Sequence, residues 1–176
     1  MDVLAHTLWA NAGAKKLNNS LKRKNKPPIS IRWASFWGVF PDIFAFGLPV
    51  FLSIFSILRG YSTFNDFSHH GQLDNYGLSN VLYNYSHSLI IFLVVFSIVS
   101  LITKKFRWEM LGWALHIFLD IPTHSVKFFP TPFLFPISKY VFPNGFSWAE
   151  PWFMVLNYGS LVFVLYLLYK KQNKTT

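Results

Sequence analysis

Apolar residues gather in four long runs, at 33–58, 82–102, 108–124 and 150–169, and polar, turn-forming stretches separate them. Each run is near or somewhat below the roughly 20 residues that a helix needs to cross a bilayer. The pattern therefore predicts four spanning helices. The first run is interrupted by Gly38, Pro41-Asp42, Gly47 and Pro49, and a proline inside a helix frees a backbone carbonyl and bends the rod. Ahead of it, residues 3–17 read as a short helix and 18–28 as a polar, basic connector closed by Pro27-Pro28. Residues 59–81, with His69-His70-Gly71, read as a polar loop. The second helix is expected to start near Leu78 and to carry Asn84, Ser86, His87 and Ser88 close to its beginning. The third is short, with Pro122 distorting its end, and 128–148 is a proline- and aromatic-rich stretch suited to a membrane interface. The last run, from Pro151 to Tyr169, has no ionisable residue and reads as scaffold.

Composition agrees with a membrane setting. Only 13% of residues are charged against 52% hydrophobic, and Phe alone occurs 20 times; an average soluble domain carries about 25% charged residues. With no cysteine, any metal must sit on nitrogen and oxygen ligands. The start of the chain lacks the basic-then-apolar layout of a cleaved signal peptide, so it is kept in the fold. The net charge of +9 is unevenly placed. Of the 16 Lys and Arg, 13 precede the first run, separate the second from the third, or follow the fourth. Four spans with both tails in the cytoplasm put all of these inside, the positive-inside bias. Nucleic acid is not expected as a partner; the lipid bilayer is, and Lys22 to Lys26 suit anionic headgroups. The reading is a single all-α domain over 1–176, an integral membrane helical bundle of four spanning helices plus a short N-terminal helix.

The chemistry lies in the apolar runs themselves. His116, Asp120 and His124 recur every fourth residue, so a continuous helix would set all three on one face. An imidazole or carboxylate in such surroundings is costly unless it binds something. At about 1.5 Å rise per residue, His116, Asp120, Asp42 and an inserted His6 fall roughly 12–18 Å from the inner surface, and His87 and His124 roughly 24 Å. These side chains, drawn from several segments, could meet in one layer around a metal ion.

Simpler readings stand beside that one. His6 is an interfacial residue if 3–17 lies flat as an amphipathic helix. Asp42 could cap a helix restarting after Pro41. His87 could belong to a local polar end with Asn84, Ser86 and Ser88, and His124 could be solvated at a helix end. His69 and His70 suit a surface loop. His116 and Asp120 could form a plain ion pair between helices.

Several short motifs carry a family resemblance: His6 before Ala10-Asn11-Ala12-Gly13-Ala14, then Val39-Phe40-Pro41-Asp42, Ser86-His87-Ser88, His116-x-x-x-Asp120-x-x-Thr123, and Phe135-Pro136. In this order the chain resembles the membrane-bound metal-dependent hydrolases, small bacterial inner-membrane proteins also described as LexA-binding. Those in turn look like distant cousins of the all-helical zinc-dependent phospholipase C and P1-nuclease group, an analogy only. Family members often carry His-Arg-Gly-x-Thr-His-Ser where this chain has Leu82-Tyr-Asn-Tyr-Ser-His-Ser88. If the missing Arg meets a substrate anion, another cation must replace it, and Arg59 is the nearest candidate.

The resemblance implies a hydrolase of the bacterial inner membrane with a cytoplasmic C-terminus. Its substrate would be a lipid-like ester or phosphoester, attacked by a metal-activated water. The expected ligands are Asp42, His87, His116 and Asp120, with His6 a further one. Asp120 and His124 are the catalytic candidates, His124 as ligand or proton shuttle. Nitrogen and oxygen donors suit zinc, with manganese or iron as alternatives. One or two ions fit the number of donors. The competing reading is a non-catalytic membrane protein, an ion or proton conductor or a partner-binding scaffold, using the same polar layer.

Overall fold

The computed structural model describes residues 1–61 and 74–172, so His69 and His70 lie outside the described residues. Among these, the secondary structure is all helical: α1 (Val3–Arg23), α2 (Ile31–Asp42), a π-helical turn (Ile43–Gly47), α3 (Leu48–Leu58), α4 (Asp74–Ser86), α5 (Leu89–Thr103), a 3-10 turn (Trp108–Met110), α6 (Leu111–Thr123) and α7 (Pro151–Gln172).

Side-chain caps set several helix starts. Asp2 accepts from Ala5 N, Ser30 from Trp33 N, and Ser88 from Ile90 N and Ile91 N. α1 is longer than the sequence pattern suggests, because Asn18 to Arg23 continue the helix rather than forming a connector. Asn18 still organises the link that follows, donating to the Ile29 carbonyl at 3.0 Å and accepting from Ile29 N at 2.8 Å. α2 runs through Pro41, and the backbone widens into the π turn at the next residues. Such turns relieve a ladder that has lost a donor and often border functional sites.

α1 packs along α2, α6 and α7, and α2 packs along α6. Two glycines allow the closest of these approaches. A Cβ on Gly112 would collide with the Ala34 carbonyl, and one on Gly38 with Ala10 and the His6 carbonyl. Aromatic packing of Trp37, Phe40, Phe92 and Trp113 fills one end of this bundle.

Beside its apolar core the protein buries a set of polar side chains and exposes many large apolar ones. Fully buried side chains include His6, His87, His116, Asp120, Ser86 and Ser88, while Leu58, Leu101 and Val155 are 79%, 77% and 73% exposed. An apolar exterior of this extent suits hydrocarbon as solvent. Ile31–Leu58 and Pro151–Lys171 are long and apolar enough to cross a membrane, and Gly77–Ser86 with Leu89–Thr103 would form a third crossing if that pair, bent by 61°, acts as one span. The run at 108–124 yields only the 13 residues of α6 after its 3-10 turn, about 20 Å of helix. Two or three crossings, rather than four, therefore meet the length requirement among the described residues.

Candidate metal centre

α6 carries the heart of the site. His116 and Asp120 lie one turn apart on its buried face, with His116 Nε2 3.1 Å from Asp120 Oδ2. α2 brings Asp42 to the same place at its C-terminal end, beside the π turn. His87 arrives from the break between α4 and α5, where Ser88 is extended and turns the chain. His6, from α1, stacks on His116 with ring centroids 3.6 Å apart.

Asp42 Oδ1, His87 Nε2, His116 Nε2 and Asp120 Oδ2 form a compact group. The two imidazole nitrogens are 3.0 Å apart. Asp42 Oδ1 is 3.6 Å from each of them, and Asp120 Oδ2 is 3.5 Å from His87 and 3.1 Å from His116. A four-coordinate site with metal–ligand bonds of about 2.0–2.2 Å spaces its donors about 3.4 Å apart. The observed edges bracket that value. This buried group is able to hold a metal ion.

The other ring nitrogens reinforce the fit. His116 Nδ1 donates to the Gly38 carbonyl at 2.8 Å, which leaves Nε2 with a lone pair. His87 Nδ1 lies 2.9 Å from Ser86 Oγ, which holds the ring in place. Two ring nitrogens then face each other, with two carboxylates beside them. Among the described residues, Asp120 Oδ2 makes no hydrogen bond of good geometry despite these near nitrogens. One proton would satisfy one contact; a divalent cation satisfies all of them. Ligating histidines typically donate their second nitrogen in this way.

The second oxygen of Asp120 faces a different set. His6 Nε2 is 2.9 Å from Oδ1 and His124 Nε2 is 3.5 Å from it. The Met1 nitrogen contacts the same oxygen and lies 3.2 Å from His124 Nε2 and 3.5 Å from Thr123 Oγ1. His124 Nδ1 donates to the Phe129 carbonyl at 2.8 Å.

Beside this centre lies a cleft of about 360 Å³, within the range of small-molecule sites, lined by residues that include Asp42, His124, Ile43, Phe46, Phe128 and Trp148. Its surface is mostly apolar, with Met1, Asp2, Asp42 and His124 also in the lining, and among the described residues no Lys or Arg lines it. Arg59 instead lies over the Phe55 ring, 5.0 Å from its centroid.

The structure thus brings Asp42, His87, His116 and Asp120 together, with His6 and His124 adjoining through Asp120. Three sequence expectations are corrected. Asp42 makes no cap hydrogen bond, because the helix passes through Pro41 without restarting. His87 is not near the start of one long helix but at the junction of two, since Ser88 caps α5 anew. His124 does not continue the α6 face; α6 ends at Thr123 and His124 is extended, reaching Asp120 as the chain turns.

Sequence reasoning missed Tyr83 and Trp113. Tyr83 stacks on His87 at 3.7 Å and donates to the Phe129 carbonyl at 2.8 Å. Trp113 Nε1 donates to the Ser86 carbonyl at 2.6 Å, tying α6 to the break. Spacing four before His87 was the available signal for Tyr83; nothing local signals Trp113. No family model, curated protein or solved structure matches this chain.

Proposed function

We propose that this protein is a metal-dependent hydrolase of the bacterial inner membrane, with its C-terminus in the cytoplasm, acting on a lipid-like ester or phosphoester. The observation that carries the reading is the spacing of four buried donors, with edges of 3.0–3.6 Å wherever they involve a histidine. The group is best suited to zinc, with manganese or iron as alternatives for an all-nitrogen-and-oxygen set. When bound, such an ion supplies Lewis acidity and lowers the pKa of a coordinated water toward about 7.

The chain's own residues do the rest. His87 and His116 are held in orientation by Ser86 and Gly38, so both present Nε2 to the same point. Asp42 is the one ligand with part of its side chain exposed, 14%, and it also lines the cleft. Substrate entering there meets the centre on the Asp42 side. Ile43, Phe46, Phe128 and Trp148 offer an apolar wall that fits an acyl or isoprenoid chain and keeps bulk water away. The exposed apolar exterior suits delivery of such a substrate from the bilayer.

The test is hydrolysis by detergent-purified protein of a long-chain acyl ester and a lipid phosphoester, before and after chelation and after re-addition of Zn²⁺. Chelator-sensitive hydrolysis that disappears in His116→Ala supports the proposal. Chelator-insensitive ion flux in proteoliposomes, without hydrolysis of either probe, favours the conductor reading instead.

A further inference from the structure

α5 ends where the sequence changes abruptly from apolar to basic. Leu93, Val94, Ile98, Leu101 and Ile102 are exposed apolar side chains on this helix, and Lys104, Lys105 and Arg107 follow at once. At that end lies a cleft of about 430 Å³, lined chiefly by Phe96, Ser100, Leu101, Lys104, Lys105 and Phe106. We infer that this cleft binds an anionic phospholipid of the bilayer, with the phosphate set against Lys104 and Lys105 and an acyl chain laid over Phe96, Leu101 and Phe106. It shares no residue with the candidate metal centre, and the inference stands without that centre.

Three features point to a ligand of that chemistry. The first is charge: among the described residues neither lysine is paired with a carboxylate. Glu109, the nearest acid along the chain, is turned to the Ser30 backbone, accepting from its N at 3.4 Å. Basic pockets at the cytoplasmic side of helical membrane proteins hold phospholipid headgroups in this way. The second is a hydroxyl. Ser100 Oγ is buried in the wall of the cleft and has no hydrogen-bond partner among the described residues. A serine inside a helix can bond the carbonyl four residues back, as Thr103 does to Val99 at 2.8 Å; Ser100 does not, and a buried hydroxyl is rarely left unsatisfied. The third is that the cleft is already built. Thr103 Oγ1 also reaches the Lys105 carbonyl at 3.0 Å and ties the link to α5. Lys104 takes a left-handed backbone with φ 52°, which turns the chain there. Phe96, Phe106 and Trp108 pack on one another beneath it, with ring centroids 5.3–6.2 Å apart.

The apolar walls decide which anion fits. A free phosphate has no use for Phe96, Leu101 and Phe106, whereas an acyl chain does. Leu101 and Ile102, 77% and 76% exposed, continue the same surface along α5. The helix has 15 residues, about 22 Å of rise, so a chain lying beside it runs through most of one bilayer's hydrocarbon depth. α5 also belongs to the bent pair that would act as one crossing, so its exposed flank meets lipid before it meets a soluble protein. Ordered apolar contact and two cations together distinguish this cleft from the basic Lys22 to Lys26 stretch, which offers charge alone.

The experiment is native mass spectrometry of the detergent-purified full chain titrated with phosphatidylglycerol and with phosphatidylcholine of the same acyl chains. Wild type should bind one phosphatidylglycerol about tenfold to thirtyfold more tightly than phosphatidylcholine, as expected for two lysines near a headgroup. Lys104→Asn with Lys105→Gln should bring the two lipids within about twofold of each other; Asn is tolerated in the left-handed conformation, so the charge goes without added strain. Lys22→Gln with Lys24→Gln, which removes the same charge elsewhere, should leave the preference intact. Phe106→Ala should weaken both lipids several-fold and keep the preference. A wild type without preference overturns the inference, whatever the variants do. So does a preference lost equally in both lysine pairs, which would make it general charge. Displacement of phosphatidylglycerol by an equal concentration of inorganic phosphate, or full affinity in Phe106→Ala, overturns the acyl-chain contact and with it the lipid as occupant.

Discussion

His116 Nε2 and His87 Nε2 stand 3.0 Å apart, while their opposite ring nitrogens meet the Gly38 carbonyl and Ser86 Oγ. Packing from α2, α6 and the α4–α5 break sets this geometry, which a cation between the two rings would suit.

Removing a partner that orients a ligand should weaken metal binding without abolishing it. Ser86→Ala takes away the oxygen that holds His87 Nδ1 at 2.9 Å. Loss of such a partner commonly costs about 10–100-fold in affinity. A competition titration against a coloured chelator should show that drop, with unchanged stoichiometry at saturating metal. Unchanged affinity would mean that Ser86 does not set the ring.

Helix contact at Gly112 should tolerate no side chain. Gly112→Ala drives a methyl into the Ala34 carbonyl, a backbone atom that cannot swing aside. Overpacking of this kind costs about 1–3 kcal/mol, and the thermal midpoint in detergent should fall accordingly. Gly159→Ala is the matched control, with nothing within 4 Å of the new methyl. It should be neutral, or stabilising by up to about 1 kcal/mol from helix propensity.

Trp113 is expected to act as a strut for His87. Its Nε1 donates to the Ser86 carbonyl at 2.6 Å in a buried setting. Trp113→Phe keeps much of the apolar packing but leaves that carbonyl unpaired, a penalty of about 1–3 kcal/mol. Both thermal stability and metal affinity should decline together. Loss of stability with full metal affinity would show that the break holds its shape without this bond.

Phe128 is half exposed at the edge of the cleft. Phe128→Ala should raise KM for a long-chain substrate by about tenfold or more, the range expected when an apolar pocket loses contact. KM for a short-chain ester of the same headgroup, and kcat for both, should change little. Equal losses on both substrates would place Phe128 in a structural role.

Much of this site was legible because its key residues are anomalies in their surroundings. His116 and Asp120 stand one helical turn apart in an apolar run, and such periodicity survives folding intact. Asp42 beside Pro41 was conspicuous for the same reason. The all-helical class followed from run lengths. The break at His87–Ser88 was not legible, because no glycine or proline marks it. It exists because Ser88 Oγ caps α5 and also donates to the Phe135 carbonyl, an acceptor far along the chain. The extended backbone of His124 was hidden for a similar reason. Phe146 N and Trp148 N donate to the Pro122 and Thr123 carbonyls and draw the chain away at the end of α6. Two or three crossings, of the four expected, meet the length requirement among the described residues, and α6 falls short because its helix has only 13 residues, about half of them buried.

Metal content of the purified protein tests the central claim most directly. Wild type purified in detergent without added chelator should carry stoichiometric divalent metal, and His116→Ala and Asp120→Asn should lose it while remaining monodisperse. A monodisperse wild type that is metal-free, and that stays so after dialysis against Zn²⁺, would contradict the proposed centre.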